Sequence, residues 1–256
     1  MTNKNNLFDL TGEIAIVTGG GKGIGKGLAT GLADYGATVV ILDIDEESGK
    51  KAVGEIEAKE VNAVFKKADV TKFNEVHNVV QEIIKEYGKI DILVNNTGTV
   101  IRKDVLETSE DEWDKVLTLN LKSHFICAKA VAPSMIERKK GKIIEIGSVS
   151  SFLAHPKHTA YAASKGGVRM LIKALAQDLS KYGINVNGIA PGYIKTPMTE
   201  GFLAVKENYD SVVNKIPLRR VGVPEDLIGA VVFLASRASD YVTGHLLPVE
   251  GGRMID

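Results

Sequence analysis

Tyr161 and Lys165 are the residues whose types and spacing most directly suggest chemistry. They lie four positions apart in a segment of helical pattern, so their side chains share one helix face, with Cβ atoms about 5–6 Å apart. A free tyrosine has a pKa of about 10, and a neighbouring ammonium stabilises the phenolate and lowers that pKa. The pair is therefore a candidate general acid for carbonyl reduction, or a general base for alcohol oxidation.

The elements that carry these residues follow from hydrophobic periodicity, because short apolar runs alternate with longer segments of helical pattern. Strands are predicted at 14–18, 38–43, 63–67, 90–95, 142–147, 184–190 and 246–249. Helices are predicted at about 24–35, 46–59, 72–87, 110–138, 159–182 and 224–236. Several strands are β-branched on both faces, as expected of a parallel sheet that helices cover on both sides.

The repeated strand–helix order predicts a single α/β domain over 1–256. It would be a Rossmann-type, doubly wound parallel sheet of about seven strands with helices on both faces. Residues 193–222 are expected to form a loop and helix insertion that covers the substrate. Ligands of such sheets bind beyond the carboxyl ends of the strands, so candidate site residues are those that directly follow a strand, as Ser148 does.

A glycine-rich turn follows the first predicted strand. Its glycines are Gly19, Gly20, Gly21, Gly23 and Gly25. Glycines let the backbone turn sharply and approach a pyrophosphate, and the next helix offers free N–H groups and its positive dipole end. The turn is therefore a candidate dinucleotide site. A P-loop is the rival interpretation, but it requires Ser or Thr after Lys26, where the chain has Gly27.

Asp43 ends the second predicted strand, 18 residues past Gly25. Its carboxylate can accept hydrogen bonds from the adenosine ribose hydroxyls and would repel a 2′-phosphate. Lys22 argues in the other direction, but a flexible surface lysine contributes only about 1 kcal/mol, less than a carboxylate–phosphate contact costs. The sequence therefore favours NAD over NADP. The alternative is that Asp43 caps the helix that begins near Glu46.

Composition argues against several other classes of function. The chain has 256 residues, with 32 Lys and Arg against 32 Asp and Glu, so no global field attracts nucleic acid or an anionic membrane. The five histidines have no metal-ligand spacing, and no metal is expected. Cys127 is the only cysteine, and no apolar run is long enough to span a bilayer. A cytoplasmic protein that acts on a small molecule is expected.

Taken together, the motifs resemble those of the short-chain dehydrogenase/reductase family over essentially the whole chain. In order, they are T-G-x-x-x-G-x-G at 18–25, Asp69-Val70 after the third strand, N-N-x-G at 95–98, Asn120, Ser148, Y-x-x-x-K at 161–165 and Pro191-Gly192. The resemblance implies an enzyme that transfers hydride between a nicotinamide cofactor and a secondary alcohol or ketone. It also implies a homotetramer, packed through the long helices after strands four and five and through the C-terminal strand.

The resemblance implies roles for residues that the physical argument leaves open. Ser148 would orient the substrate carbonyl or hydroxyl, Lys165 would also bind the nicotinamide ribose, and Asn120 would hold a water that passes the proton on. With the residues already named, the implied cofactor set is Gly19, Gly21, Lys22, Gly23, Ile24, Gly25, Asp43, Ile44, Asp69, Val70, Asn96, Gly98, Tyr161, Lys165, Pro191, Gly192, Ile194 and Thr196.

Arg102 is the main clue to the substrate. It lies in the loop that leaves the fourth strand, where a guanidinium could hold a carboxylate with two hydrogen bonds. With L-F-D-L-T-G at 7–12 and A-P-G-Y-I-K-T-P-M-T at 190–199, the chain is similar to gluconate 5-dehydrogenase and related sugar-acid reductases of the family. The substrate candidates are Arg102, Ser148, His155 and Tyr161. The alternative is that Arg102 is a solvated loop cation, since charged residues flank it.

Two other functions stay open from the residues. The chain could be a 3-oxoacyl-thioester reductase, although such enzymes generally favour NADPH and Asp43 argues against that. It could also be a nucleotide-sensing protein that has lost catalysis, although the catalytic set Asn120, Ser148, Tyr161 and Lys165 is intact.

Glu145 has no explanation from the sequence. It places a carboxylate inside a predicted central strand, at I-I-E-I. Such a group needs a hydrogen-bond donor, or burial raises its pKa.

Overall fold

The β-branched and apolar runs form the strands of one parallel sheet. The computed structural model describes residues 6–255. Its strands are β1 (Ile14–Thr18), β2 (Thr38–Asp43), β3 (Ala63–Lys67), β4 (Ile92–Asn95), β5 (Gly141–Ile146), β6 (Ile184–Pro191) and β7 (Leu246–Val249). Every predicted strand is present within two residues of its predicted bounds.

The strand order is β3-β2-β1-β4-β5-β6-β7, and all neighbouring pairs are parallel. The chain winds outward from β1 to β3 and then crosses back to β4 on the other side of β1. This reversal is the switch point of a doubly wound sheet, at which the carboxyl ends of β1 and β4 leave a crevice. The predicted fold class is confirmed.

Helices follow most strands and cover the sheet. They are α1 (Gly23–Asp34), α2 (Glu46–Glu57), α3 (Phe73–Tyr87), α4 (Glu110–Leu117), α5 (Ser123–Arg138), α6 (Thr159–Leu179), α7 (Pro197–Leu203), α8 (Lys206–Val213) and α9 (Ile228–Ala235). Short 3-10 turns lie at Val149–Ser151, Ser180–Tyr182, Pro224–Leu227 and Arg237–Ser239.

Two apolar layers hold the sheet between the helices. In β1, Ile16 packs in the layer beneath α3, α5 and α6, whereas Ala15 and Val17 pack in the layer beneath α1, α2 and α9. All three side chains are at most 1% exposed. Successive strand residues point to opposite faces, so burial on both faces explains why these strands are apolar throughout.

The helix predicted over 110–138 is interrupted. A π-helical turn at Thr118–Lys122 separates α4 from α5, and Asn120 lies at its centre with its side chain fully buried. A π-helical turn adds a residue to the turn and is common at functional sites. It also redirects Asn120 toward the loop after β4, which a regular helix would not do.

Residues 193–222 form a closed excursion that contains α7 and α8. Its ends are tied together, because Gly222 N–H donates to Tyr193 O at 2.9 Å and Lys195 N–H donates to Gly222 O at 2.8 Å. The segment lies after β6, next to the carboxyl edge of the sheet.

None of the helices in 6–255 is both long and apolar enough to cross a membrane.

Candidate active site

The glycine turn joins the carboxyl ends of β1 and β4. Gly19 and Gly23 have φ values of +62° and +53°, a region that residues with a Cβ rarely adopt. A Cβ on Gly25 would overlap the Gly19 carbonyl oxygen. Asn96 holds this turn, since its Nδ2 donates to Thr18 O at 3.0 Å and to Gly19 O at 3.1 Å. The backbone is therefore open for the close approach of a ligand.

Asp43 faces the same turn from the end of β2. Its Oδ2 accepts from Gly21 N–H at 3.0 Å, and its Oδ1 accepts from Asp45 N–H at 3.1 Å. Asp45, not Asp43, caps α2 by accepting from Ser48 N–H, so the alternative capping role does not apply to Asp43. Lys22 Nζ lies 2.8 Å from Asp45 Oδ2, so its charge is paired beside the turn.

A cavity of about 400 Å³ runs along this edge of the sheet from Asp43 to Tyr161. Most of the predicted cofactor residues line it: Gly19, Lys22, Gly23, Ile24, Asp43, Asn96, Gly98, Tyr161, Lys165, Pro191, Gly192, Ile194 and Thr196. The predicted residues outside its lining are Gly21, Gly25, Ile44, Asp69 and Val70. The lining also contains Thr97, Thr99, Ile146, Gly147, Pro197, Met198 and Thr199. Among these, Thr97 lies in the N-N-x-G motif, and Pro197, Met198 and Thr199 lie in the quoted segment at 190–199.

Two of the outlying residues stabilise the turn between β3 and α3. Asp69 Oδ1 accepts from both the N–H and the hydroxyl of Thr71, and Val70 is 5% exposed within the apolar layer beneath α3. Ile44, by contrast, is 62% exposed.

Tyr161 and Lys165 meet Ser148 at the inner end of the cavity, as predicted. The pKa of Tyr161 is nevertheless raised, chiefly because burial disfavours the phenolate, while the Ser148 hydroxyl and the Arg102 charge act in the opposite direction. The expectation of a lowered pKa is therefore wrong for the protein alone. Lys165 Nζ lies 6.0 Å from the Tyr161 ring centroid and donates to Ile146 O at 2.7 Å, so its charge is directed away from the phenol.

Lys165 is 3% exposed. Burial lowers its pKa to about 8, against the opposing effect of the Glu145 carboxylate. A lysine with this pKa is half protonated near pH 8, which suits a group that exchanges or stabilises protons.

Asn120 ties the catalytic helix to the loop after β4. Its Nδ2 donates to Thr99 O at 2.9 Å and to Ser164 Oγ at 3.0 Å, and its Oδ1 accepts from Thr99 N–H at 2.7 Å. Both N–H groups of its amide are used, so any water that its side chain binds must donate to Oδ1.

Glu145 finds its partner in His124 on α5. Both side chains are at most 1% exposed, and Glu145 Oε2 lies 2.7 Å from His124 Nδ1, although the contact is not ideally aligned. Asn95 pairs with Glu145 across β4 and β5 and donates from Nδ2 to Glu145 Oε1 at 3.0 Å. His124 Nε2 lies 3.1 Å from Thr97 O. The carboxylate thus belongs to a buried polar network beneath the cavity wall.

The substrate candidates line a second, smaller recess of about 80 Å³ beside the catalytic residues. Arg102, Ser148, His155 and Tyr161 all contribute to it, together with His158 and Tyr193, which sequence reasoning missed. The Arg102 guanidinium lies 5.2 Å from the centroid of the Phe202 ring, a cation–π contact that holds it against α7. Arg102 is therefore not merely a solvated loop cation.

The sheet order, the glycine turn and the Ser148–Tyr161–Lys165 cluster define a dinucleotide-dependent oxidoreductase. A family profile described as enoyl-(acyl carrier protein) reductase matches residues 19–253. The chain belongs to the short-chain dehydrogenase/reductase family. It is accordingly an NAD(P)-dependent enzyme that acts on CH–OH groups of a small-molecule substrate.

Relatives with assigned activities match nearly the full length. The chain is 43% identical to the 5-keto-D-gluconate 5-reductase of Escherichia coli, covering 98% of this chain and 99% of that protein. It is 43% identical to the gluconate 5-dehydrogenase of Gluconobacter oxydans, covering 96% of both. It is also 41% identical to a 3-oxoacyl-[acyl-carrier-protein] reductase of Chlamydia muridarum, covering 95% of this chain and 98% of that protein.

A similar solved structure is that of a gluconate 5-dehydrogenase from Burkholderia cenocepacia in complex with NADP and tartrate. It is 40% identical, with a TM-score of 0.95 and 98% of each chain covered.

Proposed function

We propose that the enzyme interconverts a sugar acid such as gluconate and its 5-keto acid. Arg102 carries this proposal, because its guanidinium lines the same recess as Ser148 and Tyr161. A guanidinium can bind a carboxylate with two parallel hydrogen bonds, and it would fix the substrate with a secondary alcohol at the catalytic pair. The names of the gluconate-type relatives support the same substrate class.

In this proposal, Tyr161 donates its proton to the carbonyl oxygen during reduction and accepts a proton from the alcohol during oxidation. Ser148 orients that oxygen. Lys165 binds the ribose and, with Asn120 and a water, replaces the proton. The nicotinamide, when bound, supplies or accepts the hydride and adds a positive charge in its oxidised form. That charge would lower the pKa of Tyr161, which burial raises in the protein alone.

The residues of the long cavity fit a dinucleotide. Gly19 and Gly23 leave the backbone bare where a Cβ would face Asn96 or Thr196 at 3.1–3.3 Å. The pyrophosphate would lie over this turn and the start of α1. Asn96, Gly98, Pro191 and Gly192 line the path toward Tyr161.

We propose NAD rather than NADP as the preferred cofactor. Asp43 already accepts two backbone N–H groups, which fix its side chain where the adenosine ribose would lie. Lys22 is paired with Asp45 and is less available to a 2′-phosphate. The relative from Burkholderia cenocepacia is in complex with NADP, so this preference needs a direct measurement.

The cofactor test compares kcat/KM for NAD and NADP in matched variants. Wild type should prefer NAD by about tenfold or more, and Asp43→Asn should reduce that ratio by about tenfold, since it removes the charge but keeps an acceptor for Gly21 N–H. Asp45→Asn is the control: it frees Lys22 and should improve NADP use without harming NAD use. An equal or greater kcat/KM for NADP in wild type would contradict the proposal.

The substrate test is a dehydrogenase assay over gluconate, other aldonates, neutral polyols and simple secondary alcohols. We expect the aldonates to give the highest kcat/KM. Tyr161→Phe should lower kcat by at least about 10²-fold while NAD binding persists. Tyr182→Phe, in the 3-10 turn that follows α6, should not. A Tyr161→Phe variant with near-normal turnover would overturn the mechanism.

A 3-oxoacyl-thioester reductase is the second candidate, since one relative carries that name. NADPH-dependent reduction of a 3-oxoacyl thioester with a higher kcat/KM than any keto acid would favour it. The cationic Arg102 in the recess argues for an acid. If the dinucleotide binds but no substrate of either class reacts, the result would favour a nucleotide-sensing protein without turnover.

Three further parts of the proposal concern organisation. Residues 193–222 would cover the substrate, since α7 contributes Met198 and Thr199 to the catalytic recess. A homotetramer would bury the apolar surface formed by Leu117, Leu121, Phe125 and Met170, which lie on α4, the π-helical turn, α5 and α6. A cytoplasmic location fits the single buried thiol of Cys127. Sedimentation equilibrium at the mass of four chains would test the assembly.

A further inference from the structure

A third cavity opens beyond Arg102 and is strongly cationic. It has a volume of about 250 Å³, and its lining includes the basic side chains of Arg102, Lys157, Lys215 and Arg253. Within residues 6–255, no Asp or Glu contributes to that lining. Lys157 is paired at the rim with Asp104, at 3.6 Å. Lys215 and Arg253 have no ion-pair partner among residues 6–255.

This concentration of charge exceeds what a single carboxylate needs. Arg102 alone can hold one carboxylate with two hydrogen bonds. Lys215 and Arg253 add two more cations to the lining of the same cavity. An anion in this cavity would be attracted by both charges.

His155 supplies an independent sign of a missing ligand. Its Nε2 is buried and has no hydrogen-bond partner among the described residues. Such atoms are rare in proteins, because an unpaired buried polar group costs free energy. Burial, together with the charges of His158, Arg253 and Lys215, holds the pKa of His155 below its ordinary value. The imidazole is therefore neutral at neutral pH and can donate one N–H to an anionic oxygen.

The cavity is continuous with the catalytic recess. Arg102, His155, His158 and Tyr193 line both. Of these two spaces, Ser148 and Tyr161 line the catalytic recess alone, whereas Lys215 and Arg253 line the outer cavity alone. Ring centroids are 6.0 Å apart from Tyr161 to His158 and again from His158 to His155. One molecule can therefore occupy both spaces, with its reacting carbon at Tyr161 and an anionic group further out.

We propose that His155, Lys215 and Arg253 form an outer anion subsite that binds a second carboxylate or phosphate group of the substrate. This inference rests on the proposed function and, among the sugar acids of that proposal, predicts a preference for those with two anionic groups. Arg102, between the two spaces, would hold the carboxylate common to all sugar acids. The outer subsite would select those that carry a further anionic group.

Steady-state kinetics with a matched substrate set test this selection. The set is an aldonate, the aldarate of the same carbon number and the corresponding aldonate phosphate, so that a second carboxylate and a phosphate are compared separately. In wild type, at least one dianion should have a kcat/KM about tenfold or more above that of the aldonate. Lys215→Gln/Arg253→Gln should abolish this advantage through KM, leaving aldonate kinetics within about threefold.

Two single variants serve as controls. Lys157→Gln removes a cation that is already paired with Asp104, and it should leave the preference for dianions intact. Arg102→Ala should raise KM for the aldonate and the dianions alike. The inference is overturned if no dianion exceeds the aldonate in wild type, or if Lys215→Gln/Arg253→Gln weakens aldonate and dianions equally.

A binding measurement separates this inference from the proposed function. Inorganic phosphate is titrated calorimetrically into enzyme saturated with NADH, so that the dinucleotide site is filled. Phosphate should bind wild type, and Kd should rise at least about tenfold in Lys215→Gln/Arg253→Gln. If this holds while no sugar acid reacts, the subsite stands and the proposed function fails. An unchanged Kd, or no phosphate binding to wild type, removes the subsite even if gluconate is oxidised.

Discussion

Replacing His124 by phenylalanine should strongly destabilise the protein, because it removes the partner of a carboxyl group buried inside the sheet. The Thr97 carbonyl can only accept, so His124 Nε2 carries a proton at its 3.1 Å contact. Nδ1 of the same ring lies 2.7 Å from Glu145 Oε2. His124→Phe therefore leaves the buried carboxyl group without its nearest polar partner on α5.

The magnitude follows from burial. Glu145 is 0% exposed, and in His124→Phe it keeps only the Asn95 amide. Breaking a buried charge pair at one partner costs about 3–5 kcal/mol. Glu145→Gln should cost about 1 kcal/mol or less, because a glutamine amide can donate to Nδ1 while its oxygen still accepts from Asn95. In the double variant Glu145→Leu/His124→Phe, which removes both polar groups, much of the stability should return.

Urea unfolding at one fixed chain concentration measures these differences, with the m-value as the check that the unfolded states are comparable. A second readout is KM for the dinucleotide. His124 holds the carbonyl of Thr97 in the cavity wall, so His124→Phe should raise that KM more than Glu145→Gln does. A loss under about 1 kcal/mol for His124→Phe would refute the pairing. Equal losses in the two single variants would refute the expectation that a glutamine amide can replace the Glu145 carboxyl group in this network.

Two other substitutions test how the site constrains stability. Lys165→Met should abolish turnover yet stabilise the protein by about 3 kcal/mol at neutral pH, because burial lowers the Lys165 pKa to about 8. Between about pH 8 and about pH 10.4, Lys165 is more protonated in the unfolded chain than in the folded protein. Wild type therefore gains stability as the pH rises through this window, and above it the stability difference between wild type and Lys165→Met should vanish. A difference in urea midpoint that does not change with pH would show that the burial of charged Lys165 is not its cause. Gly25→Ala should raise KM for the dinucleotide at least about tenfold, because the new Cβ overlaps the Gly19 carbonyl oxygen. The control is Gly54→Ala, on the solvent side of α2, where a new Cβ meets no other atom. It should be neutral or slightly stabilising. Similar effects of Gly25→Ala and Gly54→Ala on KM would disprove the overlap with the Gly19 carbonyl oxygen.

Local patterns in the chain determine the fold and the reactive cluster. The apolar runs predict all seven strands, because a strand that is buried on both faces is apolar along its whole length and can be identified from its own residues. The glycine turn after β1 and the four-residue spacing of Tyr161 and Lys165 are likewise local, since turn and helix geometry depend on near neighbours in sequence. The carboxyl-edge rule then brings Ser148 to the same place.

Only the tertiary structure decides features that depend on contacts between distant segments. His124 meets Glu145 because α5 packs against β5, and no spacing in the sequence records that pairing. Asn120 interrupts the predicted helix because Thr99 and Ser164 bind its side chain from other elements. The raised pKa of Tyr161 and the cations around the outer cavity have the same origin. Burial and charge are summed over neighbours in space, so a linear sequence fixes which groups are present but not which environment each one receives.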